Sequence, residues 1–202
     1  MIAPRSFTAA GFTVLAAAVA TAFLVSRPLH AEGEKITGAK PVDPQPQAAQ
    51  TEPGLAVIYY FDMFNKLRDV GKLSKGKPGP TIKLLDHKTN DGNVLTADRS
   101  MGVGAKITGL IKFDAAGTYV FRTNSNDGVS VTIASLKVIE DDGVHADEMS
   151  DPVQFVVDQP GWYALAVDYF QKKGTSALQL FWTPPGGSEA IVPATQYAHL
   201  KE

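Results

Sequence analysis

The sequence predicts an all-β fold, an antiparallel β-barrel or sandwich, and three observations carry that prediction. Beyond Gly54 apolar residues alternate with polar ones, the period of a half-buried strand. Clusters of Gly, Asn, Asp and Pro separate the alternating runs at short intervals. No convincing apolar stripe at helical spacing competes with them, the one helical candidate being the short Phe61–Val70 segment, FDMFNKLRDV.

The N-terminal quarter is different in kind. Thr8 to Val25 carries no charge, follows Arg5, and precedes Leu29-His30-Ala31. A charged start, an apolar helical middle and a small residue at the end describe a leader over residues 1–31. Its eighteen apolar and small residues reach ~27 Å as a helix, so a cleaved signal peptide and a retained membrane anchor both fit. Either way the remainder is expected to be exported, periplasmic or secreted, with attachment to the inner membrane if the leader stays. Residues 32–53, EGEKITGAKPVDPQPQAAQTEP, hold only Ile36 and Val42 as large apolar residues and read as a flexible tether.

The domain proper is expected over 54–202, roughly 150 residues, enough for one core without disulfides. That suits a 202-residue chain with no cysteine. Leu55, Val57 and Tyr59 form its first alternating run. Five lysines in 72–83 and 86–93 read as a solvated loop that keeps a sheet edge from pairing. Tyr119 and Phe121, then Val129, Val131 and Ile133, and finally Leu178, Leu180 and Trp182 continue the alternation. DAAGT (114–118), NSNDG (124–128), DDG (141–143) and DQPG (158–161) turn the chain between them. Trp162 and Trp182 are read as core, and Pro184-Pro185 end the last long strand because proline cannot donate to a ladder.

Charge and composition exclude some functions. The formal net charge is −2, and loss of residues 1–31, with Arg5 and Arg27 and no acid, moves it to −4. No nucleic-acid partner is expected from such a balance. There is no cysteine nucleophile and no Gly-x-Ser-x-Gly elbow, and the four histidines are scattered without paired spacing, so no enzyme is expected. EDDGVHADE (140–148) matches no zinc or EF-hand spacing and reads as a solvated loop. The NSNDG segment has two readings. It is either a turn rich in residues that bond their own backbone, or a polar site.

Several stretches, in order, resemble the protective-antigen fourteen-kilodalton (PA-14) domain: GLAVIYY (54–60), ITGLIKFDAAGTYVFRTNSNDGVSVTI (107–133), GWYALAVDYFQKKGTSALQLFWTPPGG (161–187) and IVPA (191–194). The resemblance covers about residues 54–200. It implies a β-barrel module of the kind found in bacterial toxins, glycosidases and yeast adhesins. In the family's glycan-binding branch two adjacent aspartates joined by a cis peptide hold a calcium ion that contacts the sugar. Asn126-Asp127 stands at that position here, with one formal charge where the binders have two. The family's asparagine on a second loop falls at Gln171, beside Lys172 and Lys173. The resemblance therefore implies a carbohydrate-binding module at the cell envelope. Asn124, Asn126, Asp127 and Gln171 are its ligand-binding candidates, and Asn126 and Asp127 the candidate residues for weakened calcium binding. A structural role, docking on a protein partner without sugar, is the alternative.

Overall fold

The computed structural model describes Met1 and residues 33–201 except Leu73. Fifteen strands follow one another among these residues. They begin with β1 (Lys35–Ile36), β2 (Thr51–Pro53), β3 (Ala56–Phe61), β4 (Lys77–Pro78) and β5 (Asp86–Thr89). The long central strands are β6 (Val103–Phe113) and β7 (Gly117–Asn126), followed by β8 (Val129–Ile133), β9 (Leu136–Asp141) and β10 (Glu148–Met149). The chain closes with β11 (Val153–Val157), β12 (Gly161–Gln171), β13 (Ser176–Thr183), β14 (Ala190–Ile191) and β15 (Tyr197–Leu200).

These strands make two sheets, so the all-β expectation is met by a sandwich and not by a closed barrel. One sheet runs β1-β11-β7-β13-β14, with β10 added to β7 and β5 to β13. The other runs β2-β15-β6-β12-β8-β9, with β3 paired to β6 and to β4. All pairings are antiparallel except β1 with β11.

Alternation decides which face of each strand meets the other sheet. Tyr163, Leu165, Val167 and Tyr169 of β12 are buried in turn, as are Tyr119, Phe121 and Thr123 of β7. Between the sheets Phe113 lies edge-on to Tyr119 at 4.7 Å and to Tyr163 at 5.1 Å, with Phe155 at 5.8 Å and Trp182 at 6.1 Å. Such aromatic pairs add to the stabilisation from burial itself. Trp182 is core as expected, while Trp162 is half-buried near a sheet edge.

Two expectations need correction. Phe61–Val70 is not a helix: β3 ends at Phe61 and only a 3-10 turn, Leu67–Asp69, follows. Phe64, Leu67 and Val70 pack there against Phe170, which explains the apolar spacing without a helix. Residues 33–53 are not a flexible tether either. β1 pairs with β11, β2 pairs with β15, and Ala39 is buried. A polar segment can be held by its backbone, and composition alone counts only side-chain burial. The packed unit thus begins near residue 33 and not at 54. The leader expected at 1–31 lies, Met1 apart, outside the described residues. Among the described residues no helix is long and apolar enough to cross a membrane.

The lysine-rich region is partly ordered into the sheets. Lys77–Pro78 forms β4 against β3, and Lys88 lies on β5 against β13. Both are short edge strands bearing lysine or proline, which fits the expected protection of a sheet edge.

Candidate functional site

At one end of the sandwich the alternation stops. The last residues of β7, Asn124 to Asn126, are all buried, and so are Phe170 and Gln171 of β12 and Ser176 to Leu178 of β13. Both faces of these strand ends are covered. The outer side of Phe170 is sealed by Phe64, Leu67 and Val70, and after the 141–148 segment β10 pairs along the edge of β7 at Asn124 and Ser125. Among the described residues the buried polar or charged ones are the run Thr123–Asp127 together with Gln171 and Ser176. Buried polar groups are costly unless paired, so their gathering at one rim marks a built polar site.

Each has a defined partner set. Asp127 Oδ1 accepts the His145 backbone N–H at 3.0 Å, and Oδ2 accepts that of Lys172 at 2.7 Å. The Asp127 backbone N–H bonds Phe170 O, and Phe170 N–H returns to Gly128 O. A Cβ on Gly128 would stand 2.5 Å from the Phe170 ring and 3.0 Å from Asp141 O, so glycine is required there by close approach. The Asn126–Asp127 peptide is cis. Asn126 Nδ2 donates to Asp147 Oδ1 at 3.0 Å and to Thr175 Oγ1 at 2.8 Å. Its carbonyl accepts the Tyr169 hydroxyl at 2.5 Å. Burial first, then the charges of Asp127 and Asp147, raise the Tyr169 phenol well above its ordinary value, so it stays a donor.

Gln171 is fully buried and donates through Nε2 to the carbonyls of Gly174 and Thr175, both at 3.3 Å, while its Oε1 has no hydrogen-bond partner. Asn124 lies farther along β7 and donates to Gln179 Oε1 at 2.9 Å. The structure thus brings Asn126, Asp127 and Gln171 together through Lys172 and Thr175. Asn124 joins a neighbouring chain of amides instead.

Sequence reasoning missed Asp147, Thr175, Lys88 and His145. Asp147 receives the Asn126 amide on one oxygen and Lys88 Nζ at 2.9 Å on the other. The Asn126 amide above all holds its carboxyl below the ordinary value; burial opposes it, and Lys88 adds to the lowering. The 140–148 stretch is largely exposed, as expected of a solvated loop, yet its end is tied to the rim, because a strand of two residues, β10, pairs beside Asn124 and Ser125. A pairing that short leaves no alternation to read. Within it Asp141, His145 and Glu148 place one donor atom each within 4.8 Å of the others. His145 Nδ1 lies 2.7 Å from Ala146 O, and Nε2 lies 3.4 Å from Asp141 Oδ2 without a hydrogen bond.

Calcium needs six to eight oxygens at ~2.3–2.6 Å. Each oxygen of Asp127 and Asp147 already takes a nitrogen donor, and the two carboxylates supply only four oxygens between them, short of that shell. The residues present therefore do not fit the ion as they stand.

The PA14 domain family model matches residues 51–196. A search of the curated proteins found no match. Among solved structures, an anti-sigma factor domain-containing protein aligns at 20% identity over 74% of this chain, with a TM-score of 0.62. The chain spans only 48% of that protein's length. The PA14 sugar-binding domain of an RTX adhesin aligns at 18% identity over 73% of this chain and 98% of its own, with a TM-score of 0.60. The Epithelial Adhesin 9 A domain of Candida glabrata, solved with Galβ1-4GlcNAc, aligns at 10% identity over 84% of this chain and 97% of its own, with a TM-score of 0.62. At these identities the likeness is one of fold. Combined with a family match over most of the chain and a sandwich whose Asn-Asp-Gly turn seals one end, it places the chain in the PA14 domain family.

Proposed function

We propose that the protein is an exported, non-catalytic carbohydrate-binding module that works at the cell envelope. The reading is supported by one observation: the buried polar side chains of the described residues gather at one end of the sandwich, where Asn126, Asp127 and Gln171 come together and Asn124 lies beside them on β7. A fold that needed only stability would favour apolar residues at these strand ends. An adhesin domain of similar fold was solved in complex with Galβ1-4GlcNAc. Amide, carboxylate and carbonyl groups suit sugar hydroxyls, which both donate and accept. Affinity per site is low in this chemistry, because each hydrogen bond to sugar replaces one to water. Calcium has at most an auxiliary part.

The test is a glycan array on the purified protein, followed by thermal unfolding with each hit and with Galβ1-4GlcNAc. A ligand of the folded state raises Tm. At least one glycan is expected to do so, and failure of every glycan sinks the reading.

One observation favours a second reading, docking on a protein without sugar. Ile58 and Leu200 are exposed on a groove of about 570 Å³ that also includes Pro78 and His199. Exposed aliphatic side chains lining one groove are a feature of protein contacts. Silence on the glycan array would favour this alternative.

A further inference from the structure

We infer that the Asn126 amide does here the work of a cation, so that the rim closes without calcium, and that a single carboxylate at position 126 would create a calcium site. A bound cation at such a junction satisfies several oxygens that would otherwise repel. In this protein nitrogen donors already do so. Asn126 Nδ2 links Asp147 Oδ1 to Thr175 Oγ1, at 3.0 and 2.8 Å. The His145 and Lys172 backbone N–H groups take the two oxygens of Asp127, at 3.0 and 2.7 Å. Lys88 Nζ takes the remaining oxygen of Asp147, at 2.9 Å.

The charges agree with the geometry. Two carboxylates, Asp127 and Asp147, meet the ammonium of Lys88 and three N–H donors, one for each of their four oxygens, so part of their negative charge is already compensated. Lys172 adds positive charge nearby, its Nζ held by Asn65 Oδ1 at 2.6 Å. Gln171 Oε1 is the one buried acceptor of this group without a donor. A single neutral oxygen is far short of a calcium shell.

Asn126→Asp changes this balance at one point. It removes both amide donors and sets a third carboxylate against Asp127 and Asp147. It also leaves Thr175 Oγ1 without that donor and Gln171 Oε1 still unpaired. Oxygens then outnumber donors, the arrangement that a hard divalent cation relieves. The inference does not depend on what the rim binds: its readout is calcium alone, and the glycan array can fail or succeed independently.

The experiment is thermal unfolding of the purified protein and of Asn126→Asp, each in chelator and in millimolar calcium. The native protein is expected to show the same Tm in both. Asn126→Asp is expected to melt lower than the native protein in chelator and to rise by about 5–10 °C with calcium at roughly a hundredfold over its dissociation constant. A calcium-dependent rise in the native protein overturns the inference, and so does a folded Asn126→Asp that ignores calcium. Folding of that variant only when calcium is present would be the expected result in its strongest form. Should it fold in neither condition, Asn126→Ser decides. It lacks the amide but adds no charge, and its loss of stability must be equal with and without calcium. Recovery of Asn126→Ser by calcium would overturn the inference.

Discussion

His87 stands on β5 where it meets β13, and its Nε2 is a shared acceptor. The Leu95 backbone N–H reaches it at 3.3 Å, and Ser176 Oγ, itself buried, lies 2.8 Å away. Burial lowers the pKa of this imidazole below its ordinary value of 6.5. The sign follows directly. The unfolded chain takes up the proton near pH 6.5 and the folded protein only at lower pH, so the contribution is complete above pH 6.5 and lost as pH falls below it. We predict that Tm declines as pH falls below about 6.5, and that His87→Gln flattens the decline by keeping an acceptor that does not titrate. An equal slope in both proteins would assign the pH dependence elsewhere. Individual residues were the least legible part of the sequence. Asn126, Asp127 and Gln171 could be located because the family resemblance pointed to their positions on the sequence. Asp147, Thr175 and Lys88 arrive from segments whose pairing has no periodic signature, so their contribution to the same site shows only in three dimensions.

The 33–53 segment behaves as a strap. Gln45 fastens it: Oε1 accepts the Trp162 N–H at 2.7 Å, while Nε2 donates to the carbonyls of Val42 and Trp162 at 2.6 and 3.1 Å. The Val42 N–H adds a backbone bond to Trp162 O at 2.9 Å. Gly161, with φ of 144°, lies close enough that a Cβ there would approach Gln45 Oε1 to 2.8 Å. This is a side chain standing in for a strand. Its low apolar content made it look unable to fold, whereas β3, β7, β12 and β13 advertised themselves by alternation. We predict that Gln45→Ala costs about 1–2 kcal/mol, since several exposed hydrogen bonds are lost with little apolar burial. Urea unfolding measures it, and limited proteolysis within 33–53 should quicken in the same variant while cleavage elsewhere does not. No change in either would mean that β1 and β2 hold the strap unaided.

Both sheets share one core, and Phe113 is the residue through which they meet. It belongs to β6, yet its ring contacts Tyr163 of its own sheet and Tyr119, Phe121, Phe155 and Trp182 of the other, with centroids between 4.7 and 6.2 Å. The alternating sequence made the all-β class readable, but whether two sheets stack or one sheet closes depends on which strands pair, and periodicity is blind to that. Stacking has an energetic consequence. If the sheets are held by this common aromatic layer, neither should survive loss of the other, and unfolding should be a single transition. Phe113→Ala leaves a cavity between the sheets, and we predict a loss of about 3–5 kcal/mol. Trp182 fluorescence reports the layer beside the cavity, and far-UV circular dichroism reports the strands of both sheets. In native protein and variant alike the two signals should change at one urea concentration, shifted down together in Phe113→Ala. Separation of the two curves in the variant would show that one sheet persists without the other, and the interface between them would then be adhesive contact instead of a shared core.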